Sequence, residues 1–442
     1  MANVDEAIPA DAAVPEEKAT SFSKPYIRYV VGILTVVYVF NFIDRQILSI
    51  LLPSIKAEFE LSDTALGFLT GFAFAAFYAT LGMPIARLAD RHSRVNIIAI
   101  SLSIWSLMTM LCGAAANFWH LLLARIGVGI GEAGGSPPSH SLIADYVPID
   151  GRSTALGIYS LGVSIGILFG FLAGGWLDEF FGWRTAFFVV GLPGILLAII
   201  LKLTLKEPPR GHSEGIAQLE GDHPTVAEVV RHLWGQRAFR HIALASALHA
   251  FVGYGVIQWM PSFLHRTHEM PTWEIGSWLA PIIGIGGGLG SVLGGVLADR
   301  LAKRDIRWQM WISALGLFIG APFAVGVYIS PDPYTSLLFL AIPTVIIAVY
   351  HGPVYAMTQA LAPLRMRAVA AAVLLFVTNI IGLGFGPQIV GIISDLLKPE
   401  FGLDSLRYAL LIVSSLYLWS GLHYLLAART LREDLARVKN SA

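Results

Sequence analysis

Four ionisable side chains sit inside stretches that are otherwise apolar: Asp44 and Arg45 within residues 27–52, Arg125 and Glu132 within residues 118–142. At bilayer depth such a group costs at least about 2.5–3.5 kcal/mol on insertion scales, so it marks either function or a specific ionic partner. Asp44 and Arg45 are adjacent, and a helix points neighbours about 100° apart. They cannot neutralise one another as an i,i+4 pair would. Each needs a partner on another helix. At about 1.5 Å of rise per residue, Asp44 lies about 12 Å below Leu52, and Arg125 about 10 Å below Phe118. The two are level, which suits a pair. Glu132 is two turns beyond Arg125 on the same face, roughly 10 Å deeper, where Arg45 can lean toward it. With all four ionised the set is neutral. A proton on either carboxylate leaves an uncompensated positive charge, the bias that a proton-driven gate requires. Read as structure alone, the same residues are buried ion pairs that fix helix register and couple nothing.

The second half of the chain has no such charges in its apolar stretches. Its polar candidates are His249, Tyr254, Gln258, Tyr350, His351 and Asn379, set among aromatic residues such as Trp259, Tyr355 and Phe376. A lone intramembrane histidine is more often a hydrogen-bonded packing residue than a proton carrier. A cavity between the halves is therefore expected to be lopsided, ionic on one wall and aromatic on the other. That shape suits an amphiphile with a charged head and an apolar tail. It suits a doubly anionic sugar phosphate less, because a symmetric arginine pair is absent.

A third group recurs. Leu88-Ala-Asp90-Arg91, trailed by Arg94, returns 209 residues later as Leu297-Ala-Asp299-Arg300. Plain positive anchoring explains such clusters, but the repeated acid–base pair favours a latch that closes one side. No G-x-x-x-x-G-K-[ST] is present, so ATP-driven pumping has no support. Metal-ligand spacing and a nucleophile elbow are also missing, and the single cysteine, Cys112, permits no disulfide. No cofactor and no enzyme activity is expected. A membrane sensor or receptor is the alternative from another class, although no appended signalling domain is evident.

The elements that must position these residues are membrane helices. Of 442 residues, 55% are hydrophobic and 14% charged, against roughly 25% charged in soluble domains. The formal net charge is zero, so nothing draws the chain to nucleic acid. A span needs about 20 apolar residues. Twelve candidates run at 27–52, 65–86, 95–115, 118–142, 153–178, 184–205, 240–263, 275–297, 308–329, 336–361, 368–394 and 406–428. The expected organisation is a disordered acidic tail over 1–24 and a six-helix bundle over 25–205. A linker with a surface helix follows over 206–239, then a second bundle over 240–430 and a tail over 431–442. Thr225 and Glu228 have capping-box spacing for the surface helix.

Of the 30 Lys and Arg residues, 23 fall on the side of the termini, five on the other side and two inside spans, which places both termini in the cytoplasm. Glycine ridges at Gly162, Gly166, Gly170 and Gly174, and at Gly286, Gly290 and Gly294, let backbones approach closely. They serve either packing within one half or sliding between halves.

At these residues the chain resembles the major facilitator superfamily over nearly its whole length. Ala86-Arg-Leu-Ala-Asp-Arg-His-Ser-Arg94 looks like its loop motif after the second helix, with Ala86 and Ser93 in place of glycines. Arg125-Ile-Gly-Val-Gly-Ile-Gly-Glu132 looks like its fourth-helix motif, where the arginine is associated with proton coupling. The Gly-Pro of the antiporter motif is absent from the fifth span, which has Phe169-Gly170. More narrowly, Asn41-Phe-Ile-Asp-Arg45, Phe118-Trp-His-Leu-Leu-Leu-Ala-Arg125, Gly129-Ile-Gly-Glu132-Ala and Leu142-Ile-Ala-Asp145-Tyr together are similar to the spinster family. That resemblance implies an all-α fold of two pseudo-symmetric six-helix bundles and alternating access. It also implies a lysophospholipid or sphingoid phosphate as cargo, with Asp44 and Glu132 tied to protonation. Arg45 and Arg125 would be their partners or headgroup ligands. An organic-anion or drug carrier of the same superfamily is the runner-up. The expected setting is a bacterial inner (plasma) membrane, with the chain a monomer and protons, substrate and lipid its partners.

Overall fold

A computed structural model describes residues 22–213 and 224–441, without the side chains of residues 83, 90, 149, 364, 440 and 441. Most of the expected amino-terminal tail lies outside these residues. All regular structure among the described residues is helical. Ten helical stretches are long and apolar enough to cross a bilayer. They resolve into twelve spans because one stretch holds two helices joined at Gly402–Asp404, and because another span is broken into two short pieces.

The spans are α1 (Lys24–Phe59), α2 (63–91), α3 (Arg94–Gly113), α4 (Phe118–Glu132 with Ser136–Tyr146), α5 (Ile149–Phe181) and α6 (Trp183–Thr204). A short helix, Val226–Trp234, crosses the linker, and Thr225 and Glu228 form both arms of a capping box at its start. The second set is α7 (Arg237–His268), α8 (272–302), α9 (Trp308–Ile329), α10 (333–360), α11 (367–401) and α12 (Ser405–Ser441).

The break in α4 has a local cause. Ala133-Gly134-Gly135 precedes Ser136-Pro137-Pro138. Pro137 and Pro138 have no N–H to give to the carbonyls of Ala133 and Gly134, so the helix cannot run on unbroken. Glu132 therefore ends a helix piece instead of lying in mid-helix. Three other spans carry a π-helical turn: Phe68–Phe72 in α2, Ala280–Ile285 in α8 and Asn379–Phe385 in α11.

Within the first half α1 packs on α5 and α3 on α6; within the second, α7 packs on α12 and α9 on α10 and α12. The halves meet through α1 with α7, α2 with α11 and α5 with α8. The face that carries both chain ends and the linker is here termed the terminal face, and the opposite one the distal face. All three helices with a π turn lie at the seam between halves.

Both glycine ridges turn out to serve packing within a half. Gly162, Gly166, Gly170 and Gly174 lie against α1, and Gly286, Gly290 and Gly294 against α10. At Gly166 an added Cβ would stand 2.6 Å from the Val39 carbonyl oxygen and 2.5 Å from Phe42 Cβ. The seam uses other glycines, such as Gly71 against the Gly384 carbonyl and Gly276 against that of Phe171.

Gly166→Val is expected to force α5 off α1 and cost about 1–3 kcal/mol or more, as overpacking does. Gly157→Ala, whose added Cβ meets nothing within 4 Å, should stay within about 0.5 kcal/mol of wild type. Thermal unfolding of the two variants in detergent checks the contrast.

Candidate functional site

The four intramembrane charges converge between α1 and α4. Arg45 Nε donates to Glu132 Oε2 at 2.7 Å, with both side chains buried. Glu132 sits at the carboxyl end of its helix piece, where the macrodipole is negative, so a cation beside it answers both charges. Asp44 and Arg125 meet differently from the expected pair. Arg125 Nη1 donates to the backbone carbonyl of Asp44 at 3.4 Å, while the Asp44 carboxylate accepts from Thr109 Oγ1 at 3.0 Å. Asp44 Oδ1, Glu132 Oε1 and Arg125 Nε are buried and have no hydrogen-bond partner. The depth argument found the right level for Arg125 but not the direction in which the Asp44 side chain leaves its helix, toward α3.

Aromatic rings complete the first wall, and sequence reasoning missed them. The Phe74 ring lies 5.2 Å from Arg45 Cζ and 5.3 Å from Arg125 Cζ, so one ring contacts both guanidinium groups. Tyr78 and Phe42 flank Arg45 at 4.5 and 5.0 Å. Such cation–π contacts are each worth roughly 0.5–2 kcal/mol, more when desolvated. Gly129 makes the approach possible, because a Cβ there would be 2.8 Å from the Phe74 carbonyl oxygen. The glycines between Arg125 and Glu132 were the available signal. They imply a close neighbour, but not which one.

The second wall is aromatic. His249 is buried and stacks on Tyr350 with centroids 3.6 Å apart, and Tyr417 meets its edge at 5.6 Å. Its Nδ1 has no hydrogen-bond partner. Tyr350 also contacts the His351 ring at 4.1 Å. His351, still exposed, reaches Ala348 O at 3.0 Å and Ser291 Oγ at 3.3 Å. Gln258 is buried with Oε1 lacking a partner, and Asn379 opens the π turn of α11, half-buried. Tyr254 packs with Tyr38 and Tyr78 against the hydrophobic cluster of the first half, so it reaches across the seam. On the first half, Tyr38 stacks on Tyr159 at 4.3 Å, with the His140 ring edge-on at 5.2 Å.

The expected latch at the terminal face does not join the halves. Arg94 is buried, paired with Asp145 and with Glu207 at 2.7 Å, and donates to Ser141 Oγ at 2.9 Å and Pro208 O at 3.1 Å. All its partners belong to the first half or the start of the linker. Burial alone would raise the Glu207 carboxyl, but the Val95 amide, Arg94 and the Ser93 hydroxyl more than offset this and hold it below the usual range. Arg91 and Arg300 are exposed. Asp299 accepts from Gln309 Nε2 at 3.1 Å, within the second half. The Asp90 side chain lies outside the described residues.

Among the described residues, the hydrogen bonds and ion pairs that cross between the halves lie at the distal face. Arg266 grips Asp63 through two bonds of 2.7 and 2.8 Å, Lys56 pairs with the same carboxylate, and Ser394 Oγ donates to it at 2.6 Å. The Asp395 carboxylate accepts the Asp63 and Thr64 amides at 3.0 and 2.7 Å. Glu179 accepts both the amide and the hydroxyl of Thr272 at 3.0 Å. The distal face is closed.

The family model of the Major Facilitator Superfamily matches residues 34–387. The chain belongs to this superfamily. It is a multi-pass membrane transporter that resembles the spinster family. Among solved structures of the superfamily, a bacterial homolog to the human lysosomal transporter spinster, in an inward-facing and unoccupied conformation, superposes with a TM-score of 0.85 at 34% identity. That match covers 93% of this chain and 99% of the homolog. An MFS-type efflux pump of Mycolicibacterium smegmatis is 35% identical over 411 residues, 92% of this chain and 93% of the relative. The cis,cis-muconate transport protein of Acinetobacter baylyi is 31% identical over 306 residues, 67% of this chain and 71% of the relative.

Removing one partner of a buried ion pair costs about 3–5 kcal/mol; with Lys56 still present, Arg266→Ala should weaken the closed distal face by roughly the lower figure. Spin labels at Glu60 and Glu400, both exposed at that face, should report a longer and broader distance distribution in the variant. An unchanged distribution would show that Asp63 and Arg266 do not hold the face shut.

Proposed function

We propose that this transporter moves an amphiphilic lipid anion, such as a lysophospholipid or sphingoid phosphate, by proton-coupled alternating access. One observation carries the coupling. Of the two intramembrane carboxylates, Glu132 has a guanidinium bonded to it, whereas Asp44 has only a hydroxyl and leaves Oδ1 unpartnered. A buried carboxylate without an ion partner is expensive, so Asp44 is the group on which a proton costs least. Charge arithmetic links this to cargo. The four groups are neutral together, so an anionic headgroup at Arg125 adds one negative charge that a proton on Asp44 cancels. Headgroup and proton therefore favour one another, and by linkage each raises the affinity for the other equally.

Orientation follows from the basic residues, 23 of which fall on the terminal side. That side is the cytoplasmic one, and a closed distal face then describes an inward-facing state. The bacterial spinster homolog it resembles was captured inward-facing. The aromatic second wall, with His249, Tyr254 and Tyr350 free of formal charge, suits an apolar tail. The bacterial source of the 35% identical efflux pump supports residence in a bacterial inner membrane, and the reading takes the chain as a monomer.

A second reading has its own support. Arg125 Nε is buried and unpartnered, a donor that suits a compact carboxylate, and one relative is a muconate transport protein. An organic-anion carrier is the alternative.

In proteoliposomes, Asp44→Asn should bind cargo yet lose the stimulation of transport by an inward or outward proton gradient that the wild type displays. Equal gradient response in both would return Asp44 to a structural role. Counterflow decides the cargo: lysophospholipid should exchange and small dicarboxylates should not, and the reverse outcome selects the organic-anion reading.

A further inference from the structure

The linker helix presents two apolar stripes where a surface helix needs one. Val229 and Leu233 are buried against the second half. Val226, Val230 and Trp234, spaced four residues apart, are exposed. They form one wall of a groove of about 300 Å³ whose other walls are Phe239 and Ala243 of α7 and Val373, Phe376 and Val377 of α11. Every lining residue is apolar. The volume is at the lower end of ligand clefts, which run roughly 300–1,000 Å³.

Depth identifies the medium around it. Phe239 and Ala243 are two and six residues inside the start of α7, and Val373 to Val377 six to ten inside the start of α11. At about 1.5 Å per residue the groove runs from the membrane interface to some 10–15 Å within, the zone of the upper acyl chain. Deeper in, α7 and α11 close on each other, because Gly382 packs so tightly on Ala250 that an added Cβ would stand 2.5 Å away. His232 and Gln236 tie the helix to the Leu361 carbonyl at 3.3 and 2.7 Å, so the wall is fixed.

Charge identifies the head. Arg231, Arg237 and Arg240 are exposed on the segments that form the mouth, and exposed Arg367 begins α11. The linker helix carries one acid, Glu228, which is engaged with the Thr225 amide at 2.8 Å. Arginines suit phosphate through paired N–H donors.

We propose that this groove is a binding site for an anionic membrane phospholipid of the cytoplasmic leaflet, one acyl chain lying against Val230 and Phe376 and the phosphate held by the arginine rim. The proposal stands whether or not the cargo is a lipid.

The test uses the full chain in nanodiscs with chain-brominated lipids, and reads Trp234 as the fluorescence difference between wild type and Trp234→Phe. Brominated phosphatidylglycerol should quench that component more strongly than brominated phosphatidylcholine at equal mole fraction. Arg237→Gln and Arg240→Gln should each lower the preference roughly fivefold, the equivalent of about 1 kcal/mol per basic residue at the surface. Val230→Gln should weaken quenching by both lipids. Equal quenching by the two lipids, or a preference untouched by the arginine substitutions, overturns the proposal. No quenching by either also overturns it, because a second copy or another protein segment would then cover the groove.

Discussion

The cost of placing a formal charge among hydrocarbon groups decides the architecture around α1. Arg45 and Glu132 are affordable inside the bundle only because each faces the other at 2.7 Å, and that contact demands that two helices far apart in sequence touch at one level. Close contact then demands small residues at the crossing, which is why glycines separate Arg125 from Glu132. The helix piece ends at Glu132 because the next residues cannot continue it, and the negative end of its dipole makes the arginine still more necessary. The Phe74 ring lies within cation–π reach of both cations. Charge, helix termination and aromatic packing are one linked solution.

The same reasoning separates the two faces of the molecule. At the distal face acids of one half are gripped by donors of the other, most tightly at Asp63. At the terminal face the equivalent groups are spent within their own halves: Arg94 on Asp145 and Glu207, Asp299 on Gln309. A transporter that alternates must trade one set of cross-seam bonds for another, and the asymmetry here is what one end of such a trade requires. The π turns of α2, α8 and α11 lie in helices that meet across the seam.

Much of this was legible in the sequence, for identifiable reasons. Spans are readable because backbone groups in hydrocarbon must bond internally, so helix and length follow from apolar runs. Rise per residue set Glu132 about 10 Å deeper than the level of Arg45, a gap the long arginine side chain was left to close by leaning inward. The Asp44 carboxylate was not placed, because its direction depends on Thr109, a residue with no mark in an apolar helix. The distal lock was missed for another reason. Lys56 and Arg266 enter the sequence reading only as two of the five basic residues on the sparse side, and no local pattern links Asp63 to a residue 203 positions away. Phe74 is one aromatic among 24 phenylalanines, and only the fold distinguishes it. The glycine ridges were visible, but whether they serve packing or sliding depends on which helix lies opposite.

The linker is pinned at both ends to different bodies. Up to Ser213, whose hydroxyl donates to Ala144 O at 2.6 Å, it belongs to the first half. From Val229 and Leu233 onward it belongs to the second. Between Ser213 and Pro224 there are only eleven peptide steps, and an extended chain spans at most about 3.3–3.6 Å per step, some 36–40 Å in all. Those steps act as a leash. However the halves rock, their anchor points on the terminal face can never separate farther than that length, so the widest aperture the protein can offer its cargo is written in covalent chain as well as in packing.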